Sequence, residues 1–330
     1  ISFVIVSLVL GQWNMQNFTI LIGSAIIVVL GIFDDRNALS AKFKFGIQLI
    51  AAAIPVIFGN LRIELITNPN LFSGELYVKF GALAIPITII WIVAITNAVN
   101  LIDGLDGLAV GVSAIACMTM LAVSLLIGEV PIAILLAVLA GACVGFMPFN
   151  LNPASIFMGD TGSTFLGFML ATLSIQGMFK VYAIISFAVP FLILGLPIFD
   201  TAFAFTRRIL SGRSPFSPDR GHVHHRLIDM GFNQKQTVAI LYIISTVLGL
   251  LAVVLTTSGE YRAIVMVLVV LITCVVGGGI YLSAERRKMK LHEQKLHELN
   301  QQESEQQKIA EQTQDTDDTS DRGGFDNEDN

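Results

Sequence analysis

Long apolar runs recur along this chain, at 1–11, 18–33, 45–59, 80–96, 107–127, 131–148, 163–178, 181–199, 237–256 and 261–282. Most approach the ~20 residues that a helix needs to cross a bilayer. Backbone groups in lipid must be satisfied within the protein, and barrel strands would be shorter and alternating, so the runs predict helices. The expected fold is an all-α polytopic membrane protein with about ten transmembrane helices, the first partial. Composition agrees: 54% of residues are hydrophobic and 14% charged, with mean hydropathy +0.73, too apolar for a soluble domain of 330 residues. Cys117, Cys143 and Cys274 lie inside apolar runs, without metal spacing, and read as small buried residues.

If each run crosses once, segments 34–44, 97–106, 149–162 and 200–236 share one face with the C-terminal tail. That face carries Arg36, Lys42, Lys44, Arg207, Arg208, Arg213, Arg220, Arg226 and Lys235, plus seven basic residues in the tail. The other face holds only Arg62, Lys79, Lys180 and Arg262. The positive-inside rule makes the first face cytoplasmic. Every Asp before the tail falls there too, whereas Glu64, Glu75, Glu129 and Glu260 fall opposite. The assignment rests on apolar runs alone, so this sorting is independent, and it points to one chemically active face. Residues 1–283 read as the membrane domain. Residues 284–330 read as a polar, acidic cytoplasmic tail that is largely disordered.

Four clusters occupy the active face. Asp34 and Asp35 are adjacent like charges at a helix end, where repulsion and the helix dipole both disfavour them unless a cation is near. Asn100, Asp103 and Asp106 repeat every third residue, and Gly104 and Gly107 suggest a broken or tightly packed helix start. Asn150 precedes Gly159-Asp160-Thr161-Gly162-Ser163, which opens an apolar run. There Asp160 or Thr161 is either an ordinary N-cap, or Asp160 meets a metal while the helix-start amides face phosphate. His222, His224 and His225 sit among arginines, a setting that suits an anion better than zinc, although a lipid-surface signal is also open. Together, hard carboxylate oxygens and a cationic loop suit Mg²⁺ held by one or two carboxylates plus substrate phosphates.

These motifs, in this order, resemble the polyprenyl-phosphate N-acetylhexosamine-1-phosphate transferases, the group containing MraY, WecA and TagO. The resemblance implies catalytic roles for Asp34, Asp35, Asp160 and His222. It implies substrate binding by Lys44, Asn100, Asp103, Asp106, Asn150, Arg220, His224 and His225. Asp160 and Asp35 are its implied ligands for Mg²⁺, with Mn²⁺ as a substitute. Arg213 to His225 is similar to the WecA/TagO branch, because Val223 interrupts the histidines. That branch implies UDP-GlcNAc as donor, undecaprenyl phosphate as acceptor and a part in teichoic acid linkage or another envelope polysaccharide. It also implies a bacterial plasma-membrane location and a homodimer; nucleic acid is not an expected partner. The family's first helix and its basic Gly/Pro-rich loop are expected to precede Ile1. An MraY-type phospho-MurNAc-pentapeptide transferase is the alternative donor reading. An ion-coupled transporter is the alternative class, disfavoured because the acids lie at one face rather than the midplane.

Overall fold

The computed structural model describes residues 2–10, 14–67, 77–177, 188–212 and 221–257. Eleven α-helices dominate them: α1 Ser2–Leu10, α2 Met15–Arg36, α3 Ala41–Ile57, α4 Ala84–Leu101, α5 Leu108–Leu126, α6 Val130–Asn150, α7 Gly159–Gly177, α8 Ala188–Ile193, α9 Gly195–Leu210, α10 Val223–Asp229 and α11 Gln234–Thr256. One antiparallel pair departs from an all-helical fold, β1 Leu65–Thr67 against β2 Tyr77–Lys79, with Ile66 opposite Val78.

Polar residues punctuate the apolar sequence where helices start. Asn14 accepts from the Asn17 amide at 2.8 Å to cap α2. Ser40 caps α3, and Asn233 and Gln236 form a reciprocal capping box at α11. Each device satisfies amides that the helix itself leaves without partners.

Among the described residues, five helical segments are long and apolar enough to cross a bilayer: Met15–Arg36, Gly81–Leu101, Leu108–Leu126, Val130–Asn150 and Gln234–Thr256. The expectation of about ten spans is thus met in part, and particular residues account for the difference. The 45–59 run becomes α3, only 17 residues long, with Pro55 in its last turn. The 181–199 run, described from Ala188, is interrupted at Leu194 between α8 and α9. Pro197, which has no N–H to donate, stands in the first turn of α9. The 261–282 run, Cys274 and the tail lie outside the described residues.

The active-face segments are shorter than the apolar runs imply. Helices extend into them, leaving connections at 37–40, 102–107, 151–158 and 230–233, and α10 forms inside the last segment.

Helix α7 is the hub, packed against α2, α4, α5 and α6. From Leu166 to Gly177 it is buried throughout. Thr172 and Ser174 return their hydroxyls to the carbonyls of Phe168 and Ala171, so an interior helix can carry them without unmet polar atoms. Phe168, Met169, Leu170 and Leu173 form the middle of the main core with Ile27, Ile92, Ile95, Leu136 and Leu139. A second, smaller core of Ile102, Leu108, Val112, Leu196, Val238 and Leu241 lies elsewhere, with Met158, Val223 and Leu227 packed on it. It joins the 102–107 turn to α9, α10 and α11.

Candidate active site

The site forms where α2, α3, α4 and α7 end or begin. Gly31, on the last turns of α2, makes the approach possible, because a Cβ there would overlap the Thr161 backbone. That contact sets Asp34 and Asp35 beside the start of α7. The two carboxylates then diverge. Asp34 accepts from the Leu39 amide at 2.8 Å and from Lys44 Nζ at 2.6 Å. Asp35 crosses to α7, where its oxygens accept from the amides of Asp160 (2.8 Å) and Thr161 (3.2 Å) and from the Thr161 hydroxyl (2.6 Å). Asp35 is therefore the cap of α7, supplied from another helix. Two amides of the first α7 turn, those of Asp160 and Thr161, are turned to Asp35.

Lys44 is the electrostatic centre of the group. Its Nζ lies 2.6 Å from Asp34 and 3.1 Å from Asp160 Oδ2. The Asp34 side chain is 6% exposed, whereas Lys44 (29%) and Asp160 (34%) keep an open side. One turn further along α3, Gln48 and Asn97 bond through their amides, at 2.7 Å from Asn97 Nδ2 to Gln48 Oε1, tying α3 to α4. Asn100, at the end of α4, accepts from Ser163 Oγ at 2.7 Å, tying α4 to the first turn of α7.

The turn after α4 brings in two more acids with different roles. Asp106 Oδ2 accepts from Asn152 Nδ2 at 3.0 Å and from the Ala154 amide at 3.2 Å. Asn150 is buried, with its Oδ1 on the Gly107 amide (3.2 Å) and its Nδ2 on the Ile156 carbonyl (2.9 Å). Both hold the 151–158 connection in place. Asp103 is pushed up to about 6, first by burial and then by the negative charges of Asp160, Asp106 and Asp35.

This shift fixes a pH dependence. Folded Asp103 keeps its proton to about 6 and the free side chain only to 3.8, so the folded state binds more protons between those values. Its contribution to stability therefore falls as pH rises through that window. Asp103→Asn should raise the melting temperature relative to wild type by about 2–4 °C more at pH 7 than at pH 4. Thermal denaturation in detergent at the two pH values measures this, and an equal difference at both would contradict it.

The histidine motif reaches the same turn. His222 precedes α10, and its Nδ1 lies 2.8 Å from Asp200 Oδ2. His224 is buried and parallel to His222, with ring centroids 5.8 Å apart. Burial, above all, pulls His224 down to about 4, so it is neutral at pH 7. Its Nε2 faces the α-carbon of Gly104, where an added Cβ would lie only 2.5 Å away. Gly104 thus lets the Asn100–Asp106 motif pack directly on the histidine motif. Gly104→Ala should displace α10 and lower turnover by about 10²-fold, the scale of an ångström-level misplacement in an active site. Turnover together with circular dichroism checks that the loss is local.

Asp34, Asp35, Lys44, Asn100, Asp103 and Asp160 are thus linked through contacts and charges, and Asp106, Asn150, His222 and His224 frame them. His225 packs on His224 at 4.2 Å between centroids. Arg220 lies outside the described residues. Sequence reasoning passed over Asp200, Thr161, Ser163 and Asn152 as site residues. Asp200 carried a usable signal, as an acid embedded in an apolar stretch that burial would force to find a partner.

The chain is similar in sequence to known proteins. Residues 17–178 match the profile of glycosyl transferase family 4. A Bacillus subtilis protein named as a probable undecaprenyl-phosphate N-acetylglucosaminyl 1-phosphate transferase is 42% identical over 253 residues, covering 77% of this chain and 70% of that one. The chain belongs to glycosyl transferase family 4. Within the family it is also 36% identical over 255 residues to a Mycobacterium leprae decaprenyl-phosphate N-acetylglucosaminephosphotransferase, covering 68% of this chain and 61% of that one. A Staphylococcus aureus phospho-N-acetylmuramoyl-pentapeptide-transferase is 32% identical over 238 residues, covering 68% and 71%. The polyprenyl-phosphate transferase group expected from the motifs is therefore the right one. The chain is an enzyme of that group, and its relatives are named as transferases.

Proposed function

We propose that this enzyme transfers N-acetylglucosamine-1-phosphate from UDP-GlcNAc to undecaprenyl phosphate, releasing UMP, with its site on the cytoplasmic face. The observation that carries the reading is Lys44, a single ammonium between Asp34 and Asp160 in a group that also holds Asp35 and Asp103. Among the described residues, carboxylates from three segments with one cation bonded among them leave an excess of negative charge. Burial first, and then the charges of Asp160, Asp106 and Asp35, push Asp103 up, and a divalent cation would relieve the part that comes from charge. Among the described residues, no three His, Cys, Asp or Glu side chains make a ready metal cage. Mg²⁺ keeps waters and takes one or two carboxylates plus substrate phosphates, so it does not require such a cage.

Asp160 is the proposed holder of Mg²⁺, and Asp34 lies one ammonium away from it. When bound, the ion supplies charge neutralisation for the donor diphosphate. Asp35 contributes differently from the sequence reading, fixing the start of α7 so that Asp160 faces Lys44. An acceptor phosphate monoester, with its second pKa near ~6, is mostly dianionic at pH 7 and needs little help from a base. The barrier is its approach to another anion. Among the described residues, Lys44, with three donors, is a cation placed for that approach. The neutral His224 and the Asn100–Ser163 bond shape the surrounding wall.

The donor assignment is supported by the names of the Bacillus and mycobacterial relatives and by the His-Val-His-His form of the motif. The pentapeptide donor of the Staphylococcus relative is the second reading. The test is purified protein in detergent with undecaprenyl phosphate, Mg²⁺ and radiolabelled donor. Labelled lipid and equal UMP from UDP-GlcNAc support the proposal. Product from UDP-MurNAc-pentapeptide alone would move the enzyme to the other branch, and product from neither would defeat the reading. The product lipid would feed teichoic acid linkage or another cell-envelope polysaccharide.

A further inference from the structure

Asp200 is 4% exposed on α9, inside a stretch where the neighbouring side chains are mostly apolar. Burial of an ionised carboxylate is costly unless both oxygens are satisfied, and here each has a partner. Oδ2 lies 2.8 Å from His222 Nδ1, and Oδ1 accepts from the Val223 amide at 2.8 Å. One carboxylate therefore does two things. It caps α10 from a neighbouring helix, and it fixes the histidine's tautomer, since a carboxylate only accepts and Nδ1 must carry the proton.

The consequence reaches the site through α10. His224, two residues on, rests parallel to His222 and against Gly104, in the turn that carries Asp103 and Asp106. Nearby, Arg207 donates to the Gly221 carbonyl at 3.0 Å and holds the chain just before His222. Among the described residues, the charged and titratable groups around His222 are Asp200 and Arg207 on α9 and His224 and His225 on α10. Asp200 alone among them bonds the His222 ring.

We propose that Asp200 is a positioning residue of the transferase, holding His222 so that Nε2 is an acceptor for a hydroxyl or N–H of the nucleotide-sugar donor. The inference rests on the transferase reading of the site. It goes beyond it by assigning the orientation of the histidine motif to a buried acid on a different helix.

Asp200→Asn is the discriminating variant. Its carbonyl oxygen can keep the Val223 amide, while its NH₂ now faces His222 Nδ1. The ring must then accept at Nδ1 and carry its proton on Nε2, a reversed tautomer in an otherwise similar shape. The expected result is a fall in kcat of about 10²-fold or more with the donor KM within about two-fold, as for loss of a correctly oriented histidine. In a His222→Ala background the same substitution should change kcat less than about two-fold, because residues acting as a unit are non-additive. A purely structural carboxylate would cost the same in both backgrounds, and that result would overturn the proposal, as would a near-normal kcat in Asp200→Asn.

A readout independent of turnover is the ¹⁵N spectrum of histidine-labelled protein in detergent. The His222 Nδ1 signal should move from protonated to unprotonated type in Asp200→Asn, and an unchanged signal would also overturn the proposal. If wild type shows no transfer with either donor, the function reading fails, while the ¹⁵N experiment still decides what Asp200 does to His222.

Discussion

Asp160→Asn should lower transfer by about 10³-fold, equivalent to about 4 kcal/mol of transition-state stabilisation, with little change in melting temperature. The structure explains why the two effects separate. The Asp160 amide, not its side chain, makes the bond to Asp35 that holds α7, and the amide survives the substitution. The Asp160 side chain is partly open and shares Lys44 with Asp34, which remains to pair that lysine. The measurement is single-turnover transfer with labelled UDP-GlcNAc, beside Mn²⁺ binding followed by electron paramagnetic resonance. Chelation of the wild type should mimic the variant, and wild-type Mn²⁺ affinity in Asp160→Asn would remove this residue from the metal.

The adjacent acid should behave in the opposite way. Asp35→Ala removes three bonds from the start of α7, to the amides of Asp160 and Thr161 and to the Thr161 hydroxyl. Loss of a cap costs about 0.5–2 kcal/mol, and this one is an exposed carboxylate that accepts three bonds. Melting temperature should fall by several degrees and transfer by about 10²-fold, since Asp160 moves with the helix start. Asp35→Asn, which keeps one acceptor oxygen, should recover part of both. Thermal scans and turnover of the two variants test the assignment, and an Asp35→Ala protein that melts like wild type would refute the cap.

The contrast between these neighbours shows where the sequence was informative. Asp34 and Asp35 were legible as acids needing a cation or a partner, because two carboxylates at a helix C-terminus oppose both each other and the dipole. Their division of labour was not legible. Successive residues on a helix point about 100° apart, and only the packing of α2 on α7 through Gly31 decides what each one meets. Gly104 was read as a place of close backbone approach, and it is one, but its partner is His224 more than a hundred residues away. Asn150 was expected in the cleft and is instead buried in the frame beneath it, a distinction invisible without the Gly107 and Ile156 backbone. The runs at 18–33, 80–96, 107–127, 131–148 and 237–256 were read nearly at their helical bounds because their apolar content is continuous. The 181–199 run misled because hydropathy registers Pro190 and Pro197 only weakly, although proline chemistry signals the break.

Lys44 carries a consequence for the enzyme at rest. The ends of α2 and α7 bring together acids that would push one another apart, with Asp34 nearly buried among them. The tethered ammonium acts as a resident counter-ion, so the helix ends can stay assembled between turnovers without borrowing charge from solution. Any free cation must then compete with a partner that is covalently attached and always in place. Binding of the ion should accordingly be weak by itself and strengthen with the donor, because the diphosphate gives Lys44 another anion to hold.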